Sequence, residues 1–581
     1  MGFLAGWIAT GRPVSQEVLV AASRVRRRLL HRDLAGSSRA DARATGEAVL
    51  LGTDVAVAEA GDNGLTLAFE GRLDDRGALE ACLLNEGHAL QGKGDAALLL
   101  TGWRAWGAGL LPRLRGAFAL VVRDAAAGTV TCARDGFGQR PLFWSAAGGA
   151  FVFASEIQAL LAWPGQGRTA DLDVIGYIMS FGHAPLDRTA LRGVHSVAPG
   201  HALTLHRDGR IETTRWWRLP DRLEDPMPAA GAASEYRRRL RSAMARAAGG
   251  DGAAEVIGYG EAAAALVHAG GQAPQPALAE VADLPALLSR LQLHAGQPLL
   301  NPATTLASLA PMIGAASRPV SDAGADMLLL SHCRYQEFAE ELARMRDDGR
   351  PPPWWVRSFH EAPPFARDLF QRATGCLTEA ERMELSGPGL AHTLVFAMPD
   401  GLGLSLEKAE LDICMDEASR IDLVHRLPGL ELPLLDAAAA AAGKMIACPF
   451  LDNEVVELCL SLPQAMRREV LDGTGTRSDT AEPVSPAEAW LPGDAIALRP
   501  WLADLLLGTA CAHRGLFARR RVETLVARCG NGSPREAREL WAMAGIEAWF
   551  QSFVDRVPAE PDLPAEAMGP GHSDSLLVAI A

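Results

Sequence analysis

From Met1 to about Arg218 the chain alternates apolar and polar residues in short runs broken by glycine: LTLAFEG, FALVVRD, TVTCARD, PLFWSAAGGAFVFAS and HALTLHRDGRIETTRWW. A period of two marks half-buried strands, and the Asp-Gly between two alternating halves of the last run marks a hairpin. Two helical stretches lie among them, near Gln16 to His31 and Asp95 to Trp106. The pattern predicts an α+β domain rich in antiparallel sheet. The opening MGFLAGWIATG fits the same scheme as a buried first strand, Phe3 to Ile8, since termini are otherwise polar and frayed.

The period then changes. After LPDRLEDPMPAAGAAS, a stretch dense in Pro, Ala and Asp, apolar residues recur at helical spacing in SEYRRRLRSAMARAA, PALLSRLQLHA, MLLLSHCRYQEFAEELARM, EVVELCLSLP and ARELWAMAGIEAWFQSFV. AAEVIGYGEAAAALVHA reads as a short buried strand, a glycine turn and a helix start, the usual opening of a nucleotide-binding α/β unit. These shifts divide the chain into residues 1–218, a linker 219–234, a second, mostly helical α/β domain 235–557, and a loose Pro-rich tail 558–581.

At 581 residues two cores are expected. The formal charge of −14 argues against nucleic acid or an anionic membrane as partner, because phosphate binding wants a basic surface. The arginine clusters Arg24, Arg26, Arg27, Arg28 and Arg519, Arg520, Arg521 are expected to be solvated helix faces. Nine scattered cysteines with no CxxC pair fit reduced cytoplasmic thiols, without zinc or a disulfide framework. No apolar run is long enough to span a bilayer.

PRLRGAFALVVRDAAAGTVTCARDGFGQRPLFWS, FVFASEIQALLAWP and GHAPLDRTALRGVHSVAPGHALTL, in that order, resemble the glutaminase domain of asparagine synthetases. LLNPATTLASLAP, VSDAGADMLL, LDAAAAAAGKMIACPFLDNEVVELCLSLP and LWAMAGIEAWFQSFV resemble blocks of that family's synthetase domain. The resemblance implies an N-terminal-nucleophile αββα sandwich followed by an adenine-nucleotide α-hydrolase-like synthetase domain. In the family a terminal Cys, freed by Met removal, attacks the glutamine amide. Gly2 holds that place and has no side chain to attack with.

The family's surrounding pocket is altered as well. Its oxyanion-hole Asn-Gly corresponds to Glu70-Gly71, where a carboxylate would repel the developing charge. The arginine for the substrate carboxylate corresponds to Asp54 or Val55, and Ser-Asp-Thr-Glu corresponds to Gly94-Asp95-Ala96-Ala97, leaving Gly71 and Asp95 as the vestiges. In the second domain the Ser-Gly-Gly-X-Asp-Ser pyrophosphate loop corresponds to Gly258-Tyr259-Gly260-Glu261-Ala262-Ala263. Gly258 and Gly260 permit a tight turn, but Ala262 cannot bind a metal. The second metal block reads Ser321-Asp322-Ala323-Gly324-Ala325-Asp326-Met327, keeping Ser321, Gly324 and Asp326, with Asp326 the candidate metal ligand. Asp436 is kept before the Pro449-to-Asp452 landmark, while Met445 and Ala447 replace a glutamate and an arginine.

The reading that follows is an asparagine-synthetase-like protein impaired in both glutamine hydrolysis and ATP-dependent carboxylate activation, a pseudoenzyme to which no cofactor is assigned. It would act in the cytoplasm as an accessory to an active paralogue or a peptide substrate, with a homodimer left open. The alternative is a glutamine-independent amide ligase using ATP and Mg2+, like the cysteine-less lasso-peptide macrolactam synthetases and β-lactam synthetases. A glutamine-hydrolysing asparagine synthetase is the third reading.

Overall fold

A computed structural model describes residues 2–9, 12–33, 41–45, 47–57, 64–90, 92–220, 229–248, 254–258, 260–272, 284–309, 319–331, 377–390, 418–472 and 492–555, with the single positions 312, 335 and 416. The tail 558–581, Tyr259, and the cysteines Cys333, Cys376 and Cys414 lie outside the described residues.

The N-terminal half is built on two six-stranded sheets. The strands are β1 (Leu4–Ile8), β2 (Asp41–Thr45), β3 (Ala48–Gly52), β4 (Asp54–Val57), β5 (Leu65–Leu73) and β6 (Gly116–Asp124), then β7 (Thr129–Arg134), β8 (Phe143–Ala147), β9 (Ala150–Ala154), β10 (His195–Ser196), β11 (His201–Leu205) and β12 (Ile211–Arg215). One sheet runs β10-β8-β9-β1-β3-β2 and the other β12-β11-β7-β6-β5-β4, with antiparallel pairing throughout. The helices α1 (Gln16–Leu29), α2 (Arg76–Asn85), α3 (Asp95–Trp106), α4 (Ile157–Leu160) and α5 (Leu172–Phe181) flank them.

Alternation along β1 explains the layering. Leu4 and Ile8 enter the apolar layer between the sheets with Phe151, Phe153, Ala68 and Val121. Phe3, Ala5 and Trp7 face the opposite way, against Val18, Ala22 and Val25 of α1. On the other sheet Leu67, Phe69, Leu120 and Val122 meet Ala96, Leu99 and Leu100 of α3. Each fully buried side chain of this size contributes about 1.5–3 kcal/mol, so a one-residue slip, which would send every side chain to the wrong face, is strongly opposed. The expected first strand is present one residue shorter than Phe3 to Ile8.

The second half begins with α6 (Ala229–Ala248), so helix reaches back into the stretch 219–234 expected to be linker. The tertiary packing of Ala232 and Tyr236 outweighs the local Pro-rich composition. A two-stranded parallel sheet, β13 (Val256–Ile257) with β14 (Val320–Ser321), carries the turn into α7 (Gly260–His268), and α8 (Leu284–Ala295) follows. Downstream, a π-type helical segment Asp422–Glu431 containing Pro428 runs directly into the helix Leu432–Ala441. Proline has no N–H to donate, and the widened ladder tolerates it there. Among the described residues no helix is long and apolar enough to cross a membrane.

The two halves share one apolar core. Phe3, Val25, Leu160 and Ile178 belong to the same buried cluster as Leu291, Leu434, Trp541 and Trp549. The arginine cluster of α1 corrects the expectation of a solvated face in part: Arg24 is exposed, but Arg28 is buried and donates to the Gln158 carbonyl at 2.5 Å. In the second cluster Arg521 donates to the fully buried Glu539 at 2.5 Å, whereas Arg519 and Arg520 are exposed.

Candidate functional site

Gly2 is buried just before β1. Thr53 Oγ1 accepts the Phe3 N–H at 3.3 Å, and Ser155 Oγ accepts the Leu4 N–H at 2.8 Å, which fixes the backbone next to it. A Cβ built on Gly2 would stand 2.1 Å from Thr53 Oγ1 and 3.7 Å from Glu70 Cγ. Any side chain at position 2 must therefore displace Thr53.

The vestigial residues of this pocket have other occupations. Gly71, at φ +140°, lets β5 approach β6 so closely that a Cβ would lie 2.1 Å from the Ala117 carbonyl oxygen. Asp54 accepts the Ala96 N–H at 2.9 Å and so caps α3, whose own N-cap residue, Gly94, has no side chain. Asp95 accepts from Arg76 Nε at 2.9 Å.

Glu70 does not point into open space. Its carboxylate accepts a short hydrogen bond from Ser155 Oγ and another from Arg32 Nη1 at 3.3 Å. Burial pushes its carboxyl up to about 7, with Arg32 opposing the shift. Arg32, fully buried in the 3-10 turn after α1, also donates to Glu156 at 2.5 Å and to Asp436 at 2.6 Å. Burial alone would lower its pKa, but Asp436, Glu156 and Glu70 raise it overall.

Asp436, on the helix Leu432–Ala441, accepts a second guanidinium, Arg140 Nη1, at 2.8 Å. The loop ARDGFGQRP positions that arginine. Asp135 accepts the N–H groups of Phe118, Phe137, Gln139 and Arg140, and buried Arg134 donates to the carbonyls of Gly138, Arg140 and Val197. Arg140 Nη2 then reaches across to the Ile446 carbonyl at 3.2 Å. Asp436 is thus bound by arginines from the N-terminal half.

Glu156, just before α4, completes the junction. It accepts from His31 Nε2 at 2.7 Å, from His294 Nδ1 on α8 at 3.1 Å, and from Gln158 Nε2 at 2.5 Å. Burial would raise its carboxyl, yet His31, Arg32 and His294 hold it well below the usual carboxylate range. Burial lowers His31. The network holds three carboxylates against two guanidiniums, and a proton on Glu70 would balance it.

In the second half, Gly258 turns β13 toward α7. A Cβ there would stand 2.2 Å from a carboxylate oxygen of Asp322, so this acid lies against the turn. Gly260 opens α7, and Ala262 and Ala263 are buried in its packing. Ser321, on β14, accepts the Ala323 N–H at 3.1 Å. Gly324, at φ +86°, is the N-cap of the short helix Ala325–Leu329, where a Cβ would lie 2.5 Å from Leu451. Asp326 is exposed and accepts from Ser331 Oγ at 2.8 Å.

Against known families, residues 55–217 match a glutamine amidotransferase domain and residues 219–475 an asparagine synthase domain. The chain belongs to the asparagine synthetase family. An asparagine synthetase (glutamine-hydrolysing) of Bacillus subtilis is 30% identical over 155 residues, 26% of this chain and 25% of that protein. A Mycobacterium tuberculosis protein, provisionally named a glutamine-hydrolysing asparagine synthetase, is 24% identical over 81% of this chain and 82% of its own length. The matched stretch thus spans a quarter of the Bacillus relative and most of the mycobacterial one. A solved glutamine phosphoribosylpyrophosphate amidotransferase from B. subtilis overlays 44% of this chain and 60% of its own, at 16% identity and a TM-score of 0.26.

Set in this asparagine synthetase architecture, a glutamine amidotransferase domain followed by a synthase domain, the retained positions separate. Gly2, Gly71 and Asp95 lie in the first half; Gly258, Gly260, Ser321, Gly324 and Asp326 cluster around β13 and β14; Asp436 joins the inter-domain network instead. The sequence reading missed Arg32, Arg140, Glu156 and His294. ARDGFGQRP and FASEIQALL carried Arg140 and Glu156 but served there only for the family resemblance, His294 lay in PALLSRLQLHA, read as a helix, and Arg32 just past the helical stretch Gln16 to His31.

Proposed function

We propose that the protein is a non-catalytic accessory member of its family, impaired in both glutamine hydrolysis and ATP-dependent carboxylate activation. The observation that carries this reading is that the reactive positions are closed by the chain's own side chains. Thr53 fills the space beside Gly2, Asp322 lies against the Gly258 turn, and Asp436 is held by Arg32 and Arg140. Loss of a nucleophile alone costs about a million-fold in kcat in well-studied hydrolases. A carboxylate against a phosphate-binding turn repels the polyanion that such a turn would otherwise attract.

Its role would then be to bind, in the cytoplasm, either an active paralogue or a peptide substrate. The scattered cysteines, with no CxxC pair, fit a reducing compartment. A glutaminase assay and an ATP–pyrophosphate exchange assay on the purified chain test the proposal. Both should read at background, and turnover in either overturns the corresponding half.

A second reading, a glutamine-independent amide ligase of the lasso-cyclase type, draws on one observation. Asp326 is exposed in the first turn of the short helix Ala325–Leu329 that follows β14 and is capped by Gly324. Magnesium-dependent exchange abolished by Asp326→Asn would favour it.

A further inference from the structure

We infer that His31, Glu156 and His294 form a binding site for a divalent transition metal of the Zn2+ class, which ties the two halves of the chain together. The three residues offer two imidazole nitrogens and a carboxylate oxygen, all within 4.8 Å of one another. His31 and Glu156 come from the N-terminal half and His294 from α8 of the second. The two rings lie 4.4 Å apart, tilted by 54°. Imidazole with carboxylate is the donor set such metals take, and a tetrahedral ion with ligand bonds of 2.0–2.2 Å wants its donors about 3.4 Å apart. The present separations of 2.7 and 3.1 Å from the Glu156 oxygens need to open by only about half an ångström to meet that geometry.

A second observation points the same way. Gln158 is completely buried, and its Oε1 has no hydrogen-bond partner, while its Nε2 lies 2.5 Å from Glu156 and 3.3 Å from His294 Nδ1. A buried acceptor left unpaired costs about 1–3 kcal/mol. Turning the amide over brings Oε1 to the side of Glu156 and His294, where a bound ion takes it as a fourth ligand, while Nε2 moves to the place Oε1 now holds. Arg32, donating to Glu156 Oε1, fixes the carboxylate as an outer-shell partner does.

The full-length chain, freed of metal by chelation, is titrated with Co2+ and then Zn2+. One equivalent of Co2+ should give visible ligand-field bands, displaced by Zn2+, and Zn2+ should raise the melting temperature. His31→Gln and His294→Gln should each weaken binding by at least about tenfold. His268→Gln, at an exposed histidine, should leave it unchanged. X-ray absorption on the Zn2+-loaded wild-type protein provides a readout independent of whether the variants fold, with two imidazoles and oxygen donors expected. Absence of binding, equal affinity in the folded His294→Gln variant, or sulfur scatterers from the cysteines would overturn the site.

Discussion

Arg32→Met tests the inter-domain network directly. In the wild type this guanidinium has only 1% of its side chain exposed and reaches Glu156 at 2.5 Å, Asp436 at 2.6 Å and Glu70 at 3.3 Å. Methionine fills much of the volume but leaves three carboxylates facing one remaining arginine, Arg140. Breaking a buried ion pair from one side costs about 3–5 kcal/mol. Glu70, already pushed up to about 7, can take a proton and relieve part of the repulsion, which places the expected loss toward the lower end of that range. Guanidinium unfolding followed by tryptophan fluorescence measures the loss. Adding Glu70→Gln to Arg32→Met should recover about 1–3 kcal/mol, because Asp436 keeps Arg140 and Glu156 keeps two histidines, whereas Glu70 is left with Ser155 alone. If Arg32→Met stays within about 1 kcal/mol of wild type, or the two changes add independently, the network does not hold the halves together as described.

Further outcomes follow from the same contacts. Gly2→Cys, with the initiator Met removed, should remain inactive as a glutaminase and lose about 1–3 kcal/mol of stability from the clash with Thr53, as read by calorimetry and an ammonia-release assay. Glu70 is raised from 4.5 to about 7 in the fold, so between those values the native state holds more protons than the unfolded chain and this group makes stability fall as pH rises, by about 3 kcal/mol in all. Glu70→Gln should remove that component from the pH profile, whereas the opposite trend, stability lost below pH 6.5 as unfolded His31 takes up a proton, should persist. Gly324→Ala should cost more than about 1 kcal/mol, since it combines a positive φ with contact against Leu451, and urea midpoints report it.

The sandwich was legible because burial follows a period of two: Leu4 and Ile8 face one way, Ala5 and Trp7 the other, and the sequence displays that alternation openly. The Asp-Gly hairpin and the strand-turn-helix at Gly258 were legible for the same local reason. The inter-domain network was not, because its partners are far apart along the chain: Arg32 and Asp436 are separated by 404 positions, Glu156 and His294 by 138. No periodicity relates such pairs. Arg28 read as part of a basic helix face because charge favours solvent, and only tertiary packing gives it the Gln158 carbonyl. Asp436 read as a vestige of catalysis, although two arginines from the other half surround it.

Calorimetric titration of the purified full-length chain with MgATP tests the central claim most directly. With Asp322 against the Gly258 turn and Asp436 held by two guanidiniums, the account predicts no saturable heat up to millimolar nucleotide, equivalent to binding weaker than about −4 kcal/mol. Saturable, magnesium-dependent binding in the micromolar range, lost in Asp326→Asn, would contradict it.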